Sequence, residues 1–137
     1  MTGGFSDIAN ITGGTGTDAF TLSGGTLSGA IAGGDGAGVN TLTGDNGANT
    51  WAVTGADAGS VTGVTGGFSD IDNLTGGTGT DAFTLNGGTL SGAIIGGGGA
   101  GVNTLTGDNG ANTWAVTGAD AGSVTGVTGG FSDIDNL

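Results

Sequence analysis

Large apolar residues recur along the chain at nearly regular intervals, between stretches rich in Gly, Thr and Asn. In the second half they occur every ten or eleven positions, as Leu74, Leu85, Ile95, Leu105, Val116, Val127 and Leu137. Over residues 82–85 and 113–116, large apolar residues alternate with small or polar ones, which is the period of a half-buried strand. Gly costs a helix about 1 kcal/mol per position but suits sharp corners. The pattern therefore predicts short β-strands joined by Gly-rich turns.

A tandem repeat underlies this pattern, since Phe5, Phe68 and Phe131 are evenly spaced and each open the string FSDI. The two full copies differ at five positions, which are Ala9/Asp72, Ile11/Leu74, Ser23/Asn86, Ala32/Ile95 and Asp35/Gly98. We divide the chain into a lead-in (1–4), unit 1 (5–67), unit 2 (68–130) and the start of a third unit (131–137). All four parts are expected to form one continuous domain.

Six apolar segments per 63-residue unit predict three 21-residue turns, if each turn has two sides. One such turn cannot bury its apolar face alone, whereas stacked turns build a continuous core. The predicted fold is therefore all-β, a parallel β-solenoid (β-helix or β-roll) with three turns per 63-residue repeat. Trp51 and Trp114 occupy equivalent positions and are expected to fill this core; a ligand-stacking platform is the alternative.

Composition narrows the possible functions. Gly supplies 37 of 137 residues, but a 34% apolar content at regular spacing favours a folded chain over a disordered one. The net charge of −12, with no Lys, Arg or His, repels phosphate and predicts no nucleic-acid partner. No apolar run is long enough to predict a membrane span. Catalysis would depend on Asp alone, because Glu, Cys and Tyr are also absent, so we expect no enzyme.

Two segments match the nonapeptide G-G-x-G-x-D-x-U-x, namely 13–21 and 76–84, and the related segments 35–43, 44–52, 98–106 and 107–115 carry Asn in the Asp slot. This pattern resembles the RTX-type repeats of secreted bacterial proteins and, more broadly, the repeat regions of giant bacterial adhesins. The resemblance implies a secreted or cell-surface location. It also implies Ca²⁺ as a possible cofactor, with Asp18 and Asp81 as ligands and with Asp35, Asp45 and Asp108 as further candidates.

The same polar residues have a structural interpretation. Asp and Asn often hydrogen-bond to the backbone at turns, and in this interpretation they cap corners and no cofactor is required. The residues concerned are Asp18, Asn40, Asn49, Asp81, Asn103 and Asn112. With 21-residue turns, the residue stacked on Asp81 would be Val102, so no column of acidic side chains is expected.

Three functions remain open. The first is a stalk, spacer or filament-forming segment of a large extracellular bacterial repeat protein, such as an adhesin, that associates with itself end to end or through neighbouring repeats. The second is a Ca²⁺-binding RTX-like β-roll module. The third is an ice-binding surface built from Thr rows.

Overall fold

The computed structural model describes residues 4–137 and shows an all-β chain whose described part contains no helix. Its strands are β1 (Ile11–Thr12), β2 (Ala19–Thr21), β3 (Ile31–Ala32), β4 (Thr41–Thr43), β5 (Thr50–Gly55), β6 (Ala58–Val61), β7 (Val64–Ser69), β8 (Asn73–Thr75), β9 (Ala82–Leu85), β10 (Ile94–Ile95), β11 (Thr104–Thr106), β12 (Trp114–Gly118), β13 (Ala121–Val124) and β14 (Val127–Ser132). The all-β part of the prediction is confirmed.

The strands form two open sheets of seven strands each. Sheet I has the order β1-β3-β7-β6-β5-β9-β11, and sheet II has the order β12-β13-β14-β10-β8-β4-β2. Neighbours pair in parallel except around β6 and β13, which run antiparallel to both of their neighbours. Each sheet is therefore mixed, and each contains one three-stranded antiparallel meander, β5–β7 in sheet I and β12–β14 in sheet II.

The chain passes from one sheet to the other after each single strand and after each complete meander. Unit 1 contributes five strands to sheet I and two to sheet II, whereas the corresponding strands from β8 onward contribute two to sheet I and five to sheet II. Equivalent residues of the two units consequently lie in opposite sheets.

The predicted parallel solenoid of 21-residue turns is wrong. The separation between parallel partners along the chain is not constant, because Ile11 pairs with Ile31, Phe20 with Leu42, Leu42 with Leu74, and Ile31 with Phe68. None of these pairs has the predicted 21-residue offset. The two-sided turns of the prediction also require successive apolar segments to lie on opposite sides, but the segments of Val53 and Val64 both lie in sheet I, on β5 and β7.

Two tight turns cause this difference. Gly55 pairs with Ala58 across a two-residue loop that holds Asp57 at φ 50°, and Val61 pairs with Val64 across a second such loop, in which Gly63 has φ 88°. Positive φ values of this kind let two-residue loops reverse a strand. Residues 50–69 therefore fold back on themselves instead of continuing to the next side.

One apolar core joins the two sheets. It includes Trp51, Phe68 and Phe83 from sheet I and Leu42, Leu74 and Ile94 from sheet II. Along β5 and β9 buried and more exposed residues alternate, as expected for strands with one face on a core. Trp51 is 0% exposed, which confirms the core-filling prediction for that residue, and Trp114 packs against the core while partly buried.

Candidate functional site: the Asp and Asn columns

Polar side chains line up immediately before the first residue of several strands, and one more, Asp135, precedes the bridge residue Asn136. They form two columns, which we call the first column (Asp18, Asn40 and Asp72) and the second column (Asn49, Asp81, Asn103 and Asp135). Each column residue but the last is separated from the next by 22 or 32 residues. These are the offsets of the strand pairs β2–β4, β4–β8, β5–β9 and β9–β11, so each side chain lies beside its partner on the adjacent strand.

One hydrogen bond recurs along both columns. The backbone N–H of each residue donates to a side-chain oxygen of the next, as from Asp18 to Asn40 Oδ1 at 2.9 Å and from Asn40 to Asp72 Oδ2 at 2.7 Å. In the second column the corresponding distances are 2.9 Å, 3.0 Å and 2.7 Å. The columns therefore satisfy backbone donors at the strand starts, where the sheet ladder does not reach them.

The Asn residues of the columns also donate to backbone carbonyls. Nδ2 of Asn40 donates to the carbonyl of Asp70 at 3.0 Å, and Nδ2 of Asn103 donates to that of Asp133 at 3.1 Å. Asp70 and Asp133 have φ values of 54° and 55°, a left-handed conformation that Asp tolerates better than most residues. The amide groups thus hold the left-handed corner of the neighbouring strand in place.

Asp81 is the most enclosed acidic residue described, with 0% exposure. Its Oδ1 accepts from the backbone N–H of Asn49 at 2.9 Å and from Asn49 Nδ2 at 2.7 Å. Its Oδ2 is buried without a hydrogen-bond partner. A side chain at Gly76 would meet both this Oδ2 and the carbonyl oxygen of Gly96, so two acceptors lie side by side there.

The five residues proposed as Ca²⁺ ligands are dispersed. Asp18 accepts from the backbone N–H of Gly14 at 3.0 Å, and Asp108 accepts from that of Gly110 at 2.6 Å. Asp45 accepts from Gly47 N–H in the same way, Asp35 is exposed, and Asp81 is bonded to Asn49. Over residues 4–137 no three acidic side chains come together as a metal-binding group.

The corner-capping interpretation is confirmed for the three residues that bond to backbone groups of their own turn, which are Asp18, Asn49 and Asn112. The other three bond to backbone groups of adjacent strands instead, namely Asn40, Asp81 and Asn103. Asn49 donates to the carbonyls of Asp45 and Gly76, and Asn112 donates to those of Asp108 and Gly110. The expected stacking of Val102 on Asp81 is wrong, because Asn103 is the neighbour of Asp81. Alignment of the sequence with itself at offsets of 22 and 32 would have revealed the columns, since it places Asp or Asn at every step.

Two acidic clefts were missed in the sequence. One has a volume of about 300 Å³ and is lined by Asp35, Asp57, Asp70 and Asp72. The other, of about 220 Å³, is lined by Asp120, Asp133 and Asp135. Two carboxylates of the first cleft accept hydrogen bonds from the same residue, because the N–H of Ser91 donates to Asp57 Oδ1 at 2.7 Å and its hydroxyl donates to Asp72 Oδ1 at 2.6 Å. These carboxylates therefore also serve as acceptors for neighbouring strands.

In sheet II of the described chain, Thr side chains form a short row. In sheet II, Thr21, Thr43 and Thr75 are in register, and the next two positions of the row are Ile95 and Ser132. No regular Thr array extends along this face.

Comparison of the chain with protein-family models, with curated proteins and with solved structures gives no match. In residues 4–137 there is no helix of the length and hydrophobicity needed to cross a bilayer. The described part of the chain is therefore an all-β fold in which the column residues bond to backbone groups of adjacent strands.

Proposed function

We propose that the chain is a structural segment, a stalk, spacer or filament-forming unit, of a large extracellular bacterial repeat protein such as an adhesin. The observation that supports this role is the continuity of both sheets across the two units. β5 of unit 1 pairs with β9 of unit 2, and β4 pairs with β8. A further copy of the unit can therefore extend the same sheets and core.

The use of the polar groups agrees with a structural role. The Asp and Asn side chains of the columns accept hydrogen bonds from the backbone of adjacent strands. These bonds stabilise the stack of strands. The net charge of −12 keeps neighbouring molecules soluble and apart at low salt. The extracellular setting and the adhesin class rest on the resemblance to RTX-type and adhesin repeats.

The fold gives the length that each unit adds. Two units supply seven strands to each sheet, so one unit supplies on average 7/2 = 3.5. At a spacing of about 4.8 Å between strands, each unit lengthens the rod by about 17 Å.

Small-angle X-ray scattering of chains with two, four and six units tests the proposal. We expect the maximum dimension to grow linearly, by about 34 Å for every two units, at constant cross-section. Growth with the cube root of the mass would show that the units collapse into a globule and would overturn the spacer role. Antibodies against the unit should label intact source cells without permeabilisation; labelling only after lysis would contradict the extracellular assignment.

A further inference from the structure

The core is open at the end of the molecule formed by β1 and β2. A cavity of about 370 Å³ lies there, and its lining includes Phe5, Ile11, Phe20, Leu22 and Leu27. Phe5 is 71% exposed, and Phe20 and Leu22 are only partly buried. An open apolar cavity at a free strand edge is unusual on a monomer and typical of an interaction surface.

The equivalent surface of unit 2 shows what covers it. Phe83, Leu85 and Phe68 correspond to Phe20, Leu22 and Phe5, and they are 0%, 2% and 4% exposed. The covering element is β5, because Trp51 stacks on Phe83 with ring centroids 5.5 Å apart and Val53 pairs with Leu85. Within one chain, the first meander thus fills the cavity that stays open in unit 1.

The opposite end of the molecule presents a second copy of this covering element. β12 is the other edge of sheet II. Its Val116 is 67% exposed, whereas the equivalent Val53 is 0% exposed. Trp114 is partly buried and keeps the edge-to-face contact with Phe131, at 6.0 Å, that Trp51 makes with Phe68 at 6.3 Å. The covering surface is therefore already formed.

We propose that the β12 edge of one molecule docks on the β2 edge of a second copy, in the register of the β5–β9 pair. In this register Trp114 stacks on Phe20 of the second copy, and Val116 lies against Leu22 of the second copy. Asn112 then donates to Asp18 of the second copy, as Asn49 donates to Asp81. This contact rests on the filament-forming role proposed above and deepens it by naming the two edges and their register, whereas the spacer role needs no contact between molecules.

One short segment must move for this contact to form. Residues 131–137 are the equivalent of residues 5–11 two repeat units later. In the docked pair, residues 131–137 of one molecule and residues 5–11 of the second copy would therefore occupy the same position. Phe131 and Ile134 are 5% and 2% exposed, whereas Phe5 and Ile8 are 71% and 48% exposed. The exposed segment 5–10 of the second copy is therefore the one displaced.

The contact is head to tail, since it joins two different edges. Such contacts propagate into filaments, unlike the self-complementary contact of a symmetric dimer. In a longer chain the neighbouring units would occupy the same two edges.

Sedimentation velocity of the 137-residue chain over a range of concentrations, at about 0.5 M salt to screen the charge, tests the proposal. The wild-type chain should form a series of oligomers. Val116→Asp should raise the dissociation constant by at least ~100-fold, because the docked carboxylate would be buried without a partner. Val102→Asp is the matched control, because it adds the same charge at a position outside the proposed contact. Val102 and its equivalent in unit 1, Val39, are both 51% exposed, so this position stays exposed when one unit stacks on another. Circular dichroism of each variant checks its fold.

A second variant blocks the other edge. Within the chain, the N–H of Ala82 on β9 donates to the Asn49 carbonyl at 2.9 Å. In the proposed contact the equivalent N–H is that of Ala19, and Ala19→Pro removes it. Pro is tolerated at the first residue of an edge strand, so the variant should still fold. Each variant alone should be monomeric, and an equimolar mixture of the Val116→Asp and Ala19→Pro chains should form dimers and nothing larger.

A monomeric wild-type chain, a Val116→Asp chain that assembles as well as Val102→Asp, or a mixture that stays monomeric would overturn the proposal. Deleting residues 2–9 should strengthen assembly, and weaker assembly would refute the displacement step.

Discussion

The indole of Trp51 stacks on the ring of Phe83, with ring centroids 5.5 Å apart and an interplanar angle of 14°. The two residues belong to different units, so this contact joins unit 1 to unit 2. Offset-stacked pairs contribute about 0.5–1.5 kcal/mol beyond the area that they bury. The contact therefore stabilises the junction between the units.

Truncation of this side chain should weaken the whole molecule. Trp51→Ala should lower the free energy of unfolding by about 3–5 kcal/mol, because it leaves a cavity at a fully buried site. Trp114→Ala is the matched control, since this indole is only partly buried, and it should cost less than half as much. Urea unfolding followed by circular dichroism measures both. Equal losses would mean that Trp51 and Trp114 have the same surroundings.

Asp81 should be replaceable by Asn with a gain in stability. The amide oxygen can keep both bonds from Asn49, and the amide nitrogen can donate to the Gly96 carbonyl, which lies beside the unpartnered Oδ2 over Gly76. Satisfying such a buried group is worth about 1–3 kcal/mol. We expect Asp81→Asn to raise the urea midpoint, whereas Asp18→Asn, at a more exposed equivalent, should change it less. A lower midpoint for Asp81→Asn would show that Oδ2 has a stabilising partner.

Calcium should act on this fold only as a divalent counter-ion. In the described part of the chain Asp18, Asp45 and Asp108 are bonded to local backbone groups, so we expect them to show no preference for Ca²⁺ over Mg²⁺. Both ions should raise the thermal midpoint equally at the same ionic strength, through screening of the net charge of −12. Thermal unfolding in Ca²⁺, in Mg²⁺ and in chelator measures this. A gain specific to Ca²⁺ would favour the calcium-binding alternative.

Local features of the fold were predictable from the sequence, but its topology was not. The alternation over residues 82–85 correctly located β9, and that over 113–116 overlaps β12, because period two reports which face of a strand is buried. The 63-residue repeat is visible in the fold where Phe68 and Phe131 make corresponding edge-to-face contacts with Trp51 and Trp114.

The meanders escaped prediction because apolar spacing does not report strand direction. Val53 and Val64 have the same spacing as apolar residues that elsewhere lie on strands of opposite sheets. The reversal depends on the positive φ values of Asp57 and Gly63, in loops that lack a strong hairpin sequence such as Asn-Gly. The wrong period also hid the Asp and Asn columns, because a 21-residue offset from Asp81 leads to Val102, whereas the neighbour of Asp81 in the fold is Asn103.

The back-folded meander is the central claim about this molecule, and cysteine cross-linking tests it most directly because the described chain has no cysteine of its own. Ala52 and Ser60 are antiparallel partners on β5 and β6, and a cross-strand pair about 5.5 Å apart at Cα suits a disulfide. In the double variant Ala52→Cys with Ser60→Cys, the two cysteines should form a disulfide within the same chain on oxidation. The control Ala52→Cys with Asn73→Cys joins two positions that a 21-residue turn would stack, but the fold places them in opposite sheets, so it should stay reduced. Cross-linking of the control pair, with none between residues 52 and 60, would contradict the mixed-sheet fold.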